Sequence, residues 1–217
     1  IVSASLLYPG TWMPHHFGLD AGLRASGKRV LFSLARENLS GLMELLQTVD
    51  DLQHFVIFAD ANKAWNELIF GKFERRYGDP GRVQVDATEV WKVQLDQLGD
   101  SAPGELRICE AHPALMSMLA RRLAQTSSVL ERSALALGAG ELDLAEFQRH
   151  CARKGYERSR HFRFALDRHG PVAALILETG PEGLNLFGLF DRCWLVSLRA
   201  GADLDFRVVR SLVAEAG

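Results

Sequence analysis

Apolar positions change their period several times along the chain, and each change marks an element. Ile1-Val2-Ser3-Ala4-Ser5-Leu6-Leu7 reads as a strand, and Arg29-Val30-Leu31-Phe32-Ser33-Leu34 is a short apolar run. A helix follows, with Asn38 or Ser40 at its N-cap and Leu42, Leu45, Leu46 and Val49 on one face. His54-Phe55-Val56-Ile57-Phe58-Ala59 has the character of a buried strand ending at Asp60. Trp65, Leu68, Ile69, Phe73 and Tyr77 then recur at helical spacing behind Asp60 or Asn62 as cap. Gly78-Asp79-Pro80-Gly81 stops that helix, and Val83, Val85, Val90, Trp91 and Val93 supply one more strand or two.

Asp96-Gln97-Leu98-Gly99-Asp100-Ser101-Ala102-Pro103-Gly104 interrupts the pattern and reads as a linker. Beyond it, Leu106-Arg107-Ile108-Cys109 fits a strand, and His112-Pro113 opens a helix at the position where proline's missing N–H costs least. Leu115, Met118, Leu119 and Leu123 form its stripe. A helical stretch through Val129 and Leu130 ends at Gly138-Ala139-Gly140, and Asp143 with Glu146 makes a capping box for the next helix. The clearest local signal is a hairpin. Phe162, Phe164 and Leu166 alternate with His161, Arg163 and Ala165, Asp167-Arg168-His169-Gly170 turns, and Pro171 to Glu178 returns. Leu184–Phe187 and Cys193–Leu198 are further strands, and Leu204, Val208, Val209 and Leu212 stripe a last helix. The expected fold is α/β (α+β), a mixed central sheet flanked by helices. It is packed either as one unit or as two lobes, 1–95 and 104–217, joined at about 96–103.

Composition adds limits. The 217 residues are 47% hydrophobic and 24% charged, values of a globular chain rather than a disordered or fibrous one. The 25 basic and 27 acidic residues give a net charge of −2, which argues against a dedicated nucleic-acid surface. Cys109, Cys151 and Cys193 are odd in number and far apart, as buried thiols of a reducing compartment would be. With no membrane-length apolar run and no signal peptide, the expected location is cytoplasmic. The missing initiator Met and the apolar close at Leu212–Gly217 are expected of a domain with flanking domains in a longer protein.

Several motifs bear on chemistry. His15-His16-Phe17-Gly18-Leu19-Asp20 matches the HHxxxD pattern of CoA-dependent acyltransferases, where a histidine serves as base near the acceptor nucleophile. Gly22-Leu23-Arg24-Ala25-Ser26-Gly27-Lys28-Arg29 spells most of a phosphate-binding P-loop, but Arg29 cannot offer magnesium a hydroxyl, so it reads as a basic turn. Consecutive histidines in a strand face opposite ways, so His15 and His16 cannot share one ion, and no metal set is expected. Tyr8-Pro9-Gly10-Thr11-Trp12-Met13-Pro14-His15-His16 is read as a polar-aromatic loop that lines a pocket or packs as a crossover. Arg153, Lys154, Arg158, Arg160, Arg163 and Arg168 form a basic cluster that meets phosphates or, more simply, lies on a solvated face.

Two stretches resemble the GNAT superfamily of N-acetyltransferases. Phe55–Trp65, running on to Phe73, is similar to that family's strand and Asn-headed helix beside the CoA arm. Arg160–Glu178, with the Leu184–Leu198 strands and a helix, is similar to its central antiparallel strands. The resemblance implies a GNAT-like arrangement that transfers an acyl group from acetyl-CoA or another acyl-CoA to an amine. For such a transfer the HHxxxD match offers His16 or His15 as base, with Glu178 or Asn185 on the acceptor side. Asn62, Arg24 and Lys28 would hold the cofactor, and Tyr8, Trp12 and Asn185 the substrate. The family's complete pyrophosphate loop is missing, and Ile69 and Phe70 stand where it often keeps a Tyr acid. Those departures point to the rival expectation, a non-catalytic module of a signalling protein that senses a small nucleotide-like ligand, of the cyclic-dinucleotide type for example, or docks a partner.

Overall fold

A computed structural model of the chain describes residues 2–17, 33, 36–37, 40–42, 44, 47–58, 72–86, 106–181, 190–199 and 206–214. Its first sheet begins with the expected strand at Val2–Tyr8 and continues through the stretch expected to be a loop. β1 (Val2–Tyr8) and β2 (Thr11–Phe17) pair antiparallel around Pro9 and Gly10, so the Tyr8–His16 stretch is a turn and a strand rather than a loop. β3 (His54–Phe55) lies parallel to β2 against Thr11 and Trp12. Pro14 is tolerated because its partner Ala4 adjoins a register shift and β3 does not reach it. Gly10 fixes the junction. It takes φ +70°, and its carbonyl accepts from the N–H groups of Gln53 (2.8 Å) and His54 (2.9 Å). A Cβ there would stand 3.1 Å from the Asp51 carbonyl oxygen.

The second sheet is antiparallel, in the order β4 (Arg107–Glu110), β5 (Ser159–Asp167), β6 (Gly170–Thr179), β7 (Arg192–Ser197). The expected hairpin is its centre, turning at Arg168 and His169. Arg199 clasps the turn, donating to both Asp167 carboxylate oxygens at 2.9 and 2.8 Å. The helices named α1 (Lys72–Tyr77), α2 (Pro113–Thr126), α3 (Val129–Ala134), α4 (Ala145–Arg153) and α5 (Phe206–Ala214) follow in chain order. Leu119 and Leu123 of α2 pack on Phe164, Ala174 and Ile176, whereas Val208 and Leu212 of α5 pack on Ala165, Ala173 and Leu175. With helices on both faces, β6 is apolar at successive positions, which is why its sequence runs Val-Ala-Ala-Leu-Ile.

Caps account for several boundaries. His112 Nδ1 accepts from the Ala114 N–H at 3.3 Å ahead of Pro113, and Ser128 Oγ accepts from the Glu131 N–H at 2.9 Å. Asp143 bonds the Ala145 N–H at 2.9 Å, but Leu144 holds the N-cap place of α4, so the expected capping box is displaced by one residue. The two sheets meet in one core, where Leu7, Tyr8 and Met13 of the first hairpin pack on Ala136, Leu144, Phe147, Cys151 and Phe190. His54 Nε2 and Ser133 Oγ, 2.8 Å apart, tie β3 to α3.

The architecture is α+β, as expected, and among the described residues it holds two sheets, one mixed and one antiparallel. Val83 and Val85 join no strand, and the His54–Ala59 strand is two residues long within the described part. Of the cysteines, Cys151 is buried, Cys109 half-buried and Cys193 exposed, so burial holds for only one of the three fully. The Leu184–Phe187 strand, the linker at 96–103 and most of Arg29–Leu34 lie outside the described residues. Among the described residues no helix is long and apolar enough to cross a membrane.

Candidate functional site

Strand register lines up three ionisable side chains. Arg160 of β5 pairs with Glu178 of β6, and Glu178 pairs with Arg192 of β7, so Arg–Glu–Arg forms one cross-strand row. Arg158 sits two residues before Arg160, on the same side of the chain by strand alternation. Tyr8, at the end of β1, comes down onto the row from the other sheet.

The contacts close around Glu178. Tyr8 donates its hydroxyl to Oε2 at 2.6 Å, and Arg160 donates Nε to Oε1 at 2.5 Å with Nη2 also at 2.5 Å. Arg158 Nη2 lies 3.6 Å from Oε2. The arginines also hold backbone. Arg158 Nη1 donates to the Leu7 carbonyl, and Arg160 donates to the carbonyls of Ala136 (2.6 Å) and Leu135 (2.9 Å). Ala136 takes φ +50°, a left-handed conformation that non-glycine residues avoid, and the Arg160 bond to its carbonyl holds it in place. Aromatic rings complete the box. The Arg158 guanidinium is 5.2, 5.7 and 5.1 Å from the ring centres of Tyr8, Phe147 and Phe190, and Arg192 lies 4.6 Å from that of Phe58.

Burial governs the proton affinities. It pushes the Tyr8 phenol up to about 12, with the Glu178 charge adding to the effect, so Tyr8 is a neutral donor at physiological pH. Burial likewise lowers Arg192, against the opposing pull of Tyr8 and Glu178. Glu178 is fully buried and both of its oxygens accept hydrogen bonds. A general base has to reach the proton it abstracts. The Glu178 carboxylate is instead committed to joining two sheets.

Next to this junction lies a surface groove of about 430 Å³. Ala145, Gln148, Arg149 and Ala152 of α4, at helical spacing, form one wall, and Glu157, Arg158, Ser159 and Thr179 form the other. The hydroxyls of Ser159 and Thr179 are 2.5 Å apart. Arg158 belongs to both the groove and the buried junction.

Of the residues singled out by sequence, the structure brings Tyr8 and Glu178 together. Trp12 is half-buried on β2, and its Nε1 finds no hydrogen-bond partner among the described residues. His15 and His16 are consecutive positions of β2. Arg24, Lys28, Asn62 and Asn185 lie outside the described residues. The basic cluster read as a solvated face is divided, because Arg158 and Arg160 are each 6% exposed. One signal for Arg160 was present. It shares strand parity with Phe162 and Phe164, which puts it on an apolar face. No group of three or more His, Cys, Asp or Glu placed to hold a metal ion occurs among the described residues. No family model, curated protein or solved structure matches the chain.

Proposed function

We propose that the chain is a non-catalytic module that binds a small nucleotide-like ligand. The observation carrying this reading is the state of Glu178, whose carboxylate is enclosed by Tyr8, Arg158 and Arg160 and is closed to any acceptor. Beside it, the groove along α4 is open and of small-molecule size. Acyl transfer from acetyl-CoA or a longer acyl-CoA, with His16 or His15 as base, is the second reading. It is favoured by the run of antiparallel β5, β6 and β7 followed by α5.

The test is a thermal-shift screen of the whole chain against acetyl-CoA, longer acyl-CoAs, mononucleotides and cyclic dinucleotides, paired with an acyl-transfer assay on simple amines. A ligand that binds the native state raises the midpoint by mass action. The module reading expects a nucleotide-type compound to raise it with no transfer. Acyl transfer that falls by about 10²–10⁴-fold in His16→Ala, with folding intact, overturns the module reading in favour of the enzyme.

A further inference from the structure

The two outer strands of the second sheet finish it in different ways. β4 is four residues long with exposed Arg107 and Glu110 at its ends, the short and charged form that keeps an edge from pairing. β7 is longer and carries Cys193-Trp194-Leu195-Val196, an apolar run of high strand propensity with no charge or proline in it. Its register fixes where its backbone points. Leu198 donates its N–H to the Val172 carbonyl at 2.9 Å, so the hydrogen-bonded pairs with β6 fall at Val196, Trp194 and Arg192. Cys193, Leu195 and Ser197 then turn their N–H and C=O groups away from β6. The Ser197 carbonyl has its partner in Arg122 Nε, at 2.9 Å. At Cys193 and Leu195 the outward backbone meets no strand among the described residues.

The strand is held in place for pairing. Trp194 packs against the cores on one face and Leu195 against Ala165, Ala173 and Leu175 on the other, so little order remains to be imposed. Cys193 is exposed, and its row runs through half-buried Leu177 to exposed His161, which leaves the sheet face open beside the edge. Charges at the two ends of β7 select the partner. Asp191 is exposed just before the strand, and Arg199 follows it. An antiparallel copy of β7 brings Asp191 of each chain to the Arg199 end of the other, whereas a parallel copy would set like charges together. A strand paired with itself antiparallel is satisfied by a two-fold axis, the commonest symmetry of homo-oligomers.

We propose that β7 pairs antiparallel with β7 of a second copy of this chain, through the backbone of Cys193 and Leu195. The product is a two-fold dimer with one sheet continuous across both copies. β7 supplies none of the described lining of the α4 groove, so the inference stands apart from the ligand-binding reading. Sedimentation equilibrium of the whole chain over a concentration series tests it, with amide hydrogen exchange followed on the same samples. A two-chain mass is expected as concentration rises, with exchange at the Cys193 and Leu195 amides slowing in step. Cys193→Lys puts a charge on the edge, and Cys193→Pro removes an N–H that bonds nothing inside the sheet. Both variants should sediment as single chains and keep the far-ultraviolet circular dichroism of the parent. If the proline variant does not fold, the lysine variant, altered only at an exposed side chain, decides the question. A single-chain mass at every concentration overturns the pairing. So does a dimer that survives the folded variants, or one that forms while the Cys193 and Leu195 amides still exchange at the single-chain rate.

Discussion

Tyr8 keeps its proton far into the alkaline range, and that has a measurable consequence for stability. An ordinary phenol titrates near 10, whereas the folded protein raises Tyr8 to about 12. The sign follows from linkage. The contribution of this group is complete below about pH 10, where neither state has lost the proton, and disappears as pH rises through about 12. Urea unfolding of Tyr8→Phe should therefore lose less stability than wild type between those pH values, by on the order of 2 kcal/mol. Parallel alkaline limbs in the two proteins would show that Tyr8 is not held this way. Glu178→Gln is a harsher change, because it leaves Arg158 and Arg160 buried without their carboxylate. Its expected cost is about 3–5 kcal/mol in unfolding free energy, and a loss below about 1 kcal/mol would mean the junction is hydrated. Both residues were nameable from sequence but for unrelated reasons, Tyr8 as part of an aromatic loop and Glu178 as the end of a strand. Their mutual contact spans 170 positions and leaves no local trace.

Among the elements, the β5–β6 hairpin shows how far a pattern can be read. Phe162, Phe164 and Leu166 alternate, Asp167–Gly170 is turn chemistry, and the fold follows both. The helix starts at Pro113 and the stop at Gly78 were equally visible, since each is dictated by local backbone chemistry. Tyr8–His16 was not, because two prolines disguise a strand whose tolerance depends on which edges its neighbours leave uncovered. Val83 and Val85 erred the other way, carrying strand propensity without a paired neighbour in the described fold. The hairpin turn has its own pH signature. The Arg199 hydrogen bonds hold the Asp167 carboxyl well below the usual carboxylate range. That contribution is present above pH about 4 and is lost as the medium becomes more acid. Hydrogen exchange of the turn amides in Asp167→Asn should be faster than wild type near neutrality and converge on it in acid. Identical exchange at both pH values would show that the clasp adds nothing.

At the scale of the molecule, the two sheets share a core through Leu7, Tyr8 and Met13, so they are expected to unfold together. Far-ultraviolet circular dichroism and tryptophan fluorescence should give coincident urea transitions, and two separated transitions would mean that the sheets are independent. Limited proteolysis is expected to nick first at residues 96–104, rich in Gly, Pro and Ser, and to leave two fragments that co-elute through the shared core. First cuts elsewhere would remove the linker. The 170 positions between Tyr8 and Glu178 also order events during synthesis. A ribosome delivers the β1–β2 hairpin first, yet its docking surface, made by Phe147, Arg158, Arg160, Glu178 and Phe190, arrives more than a hundred residues later. At about 5–20 residues per second that interval lasts several seconds or longer, during which Leu7 and Met13 await Phe147 and Phe190, their later core neighbours. The nascent chain thus presents an apolar, strand-forming hairpin to chaperones, and pausing before β5 would lengthen the exposure without changing a single residue of the finished fold.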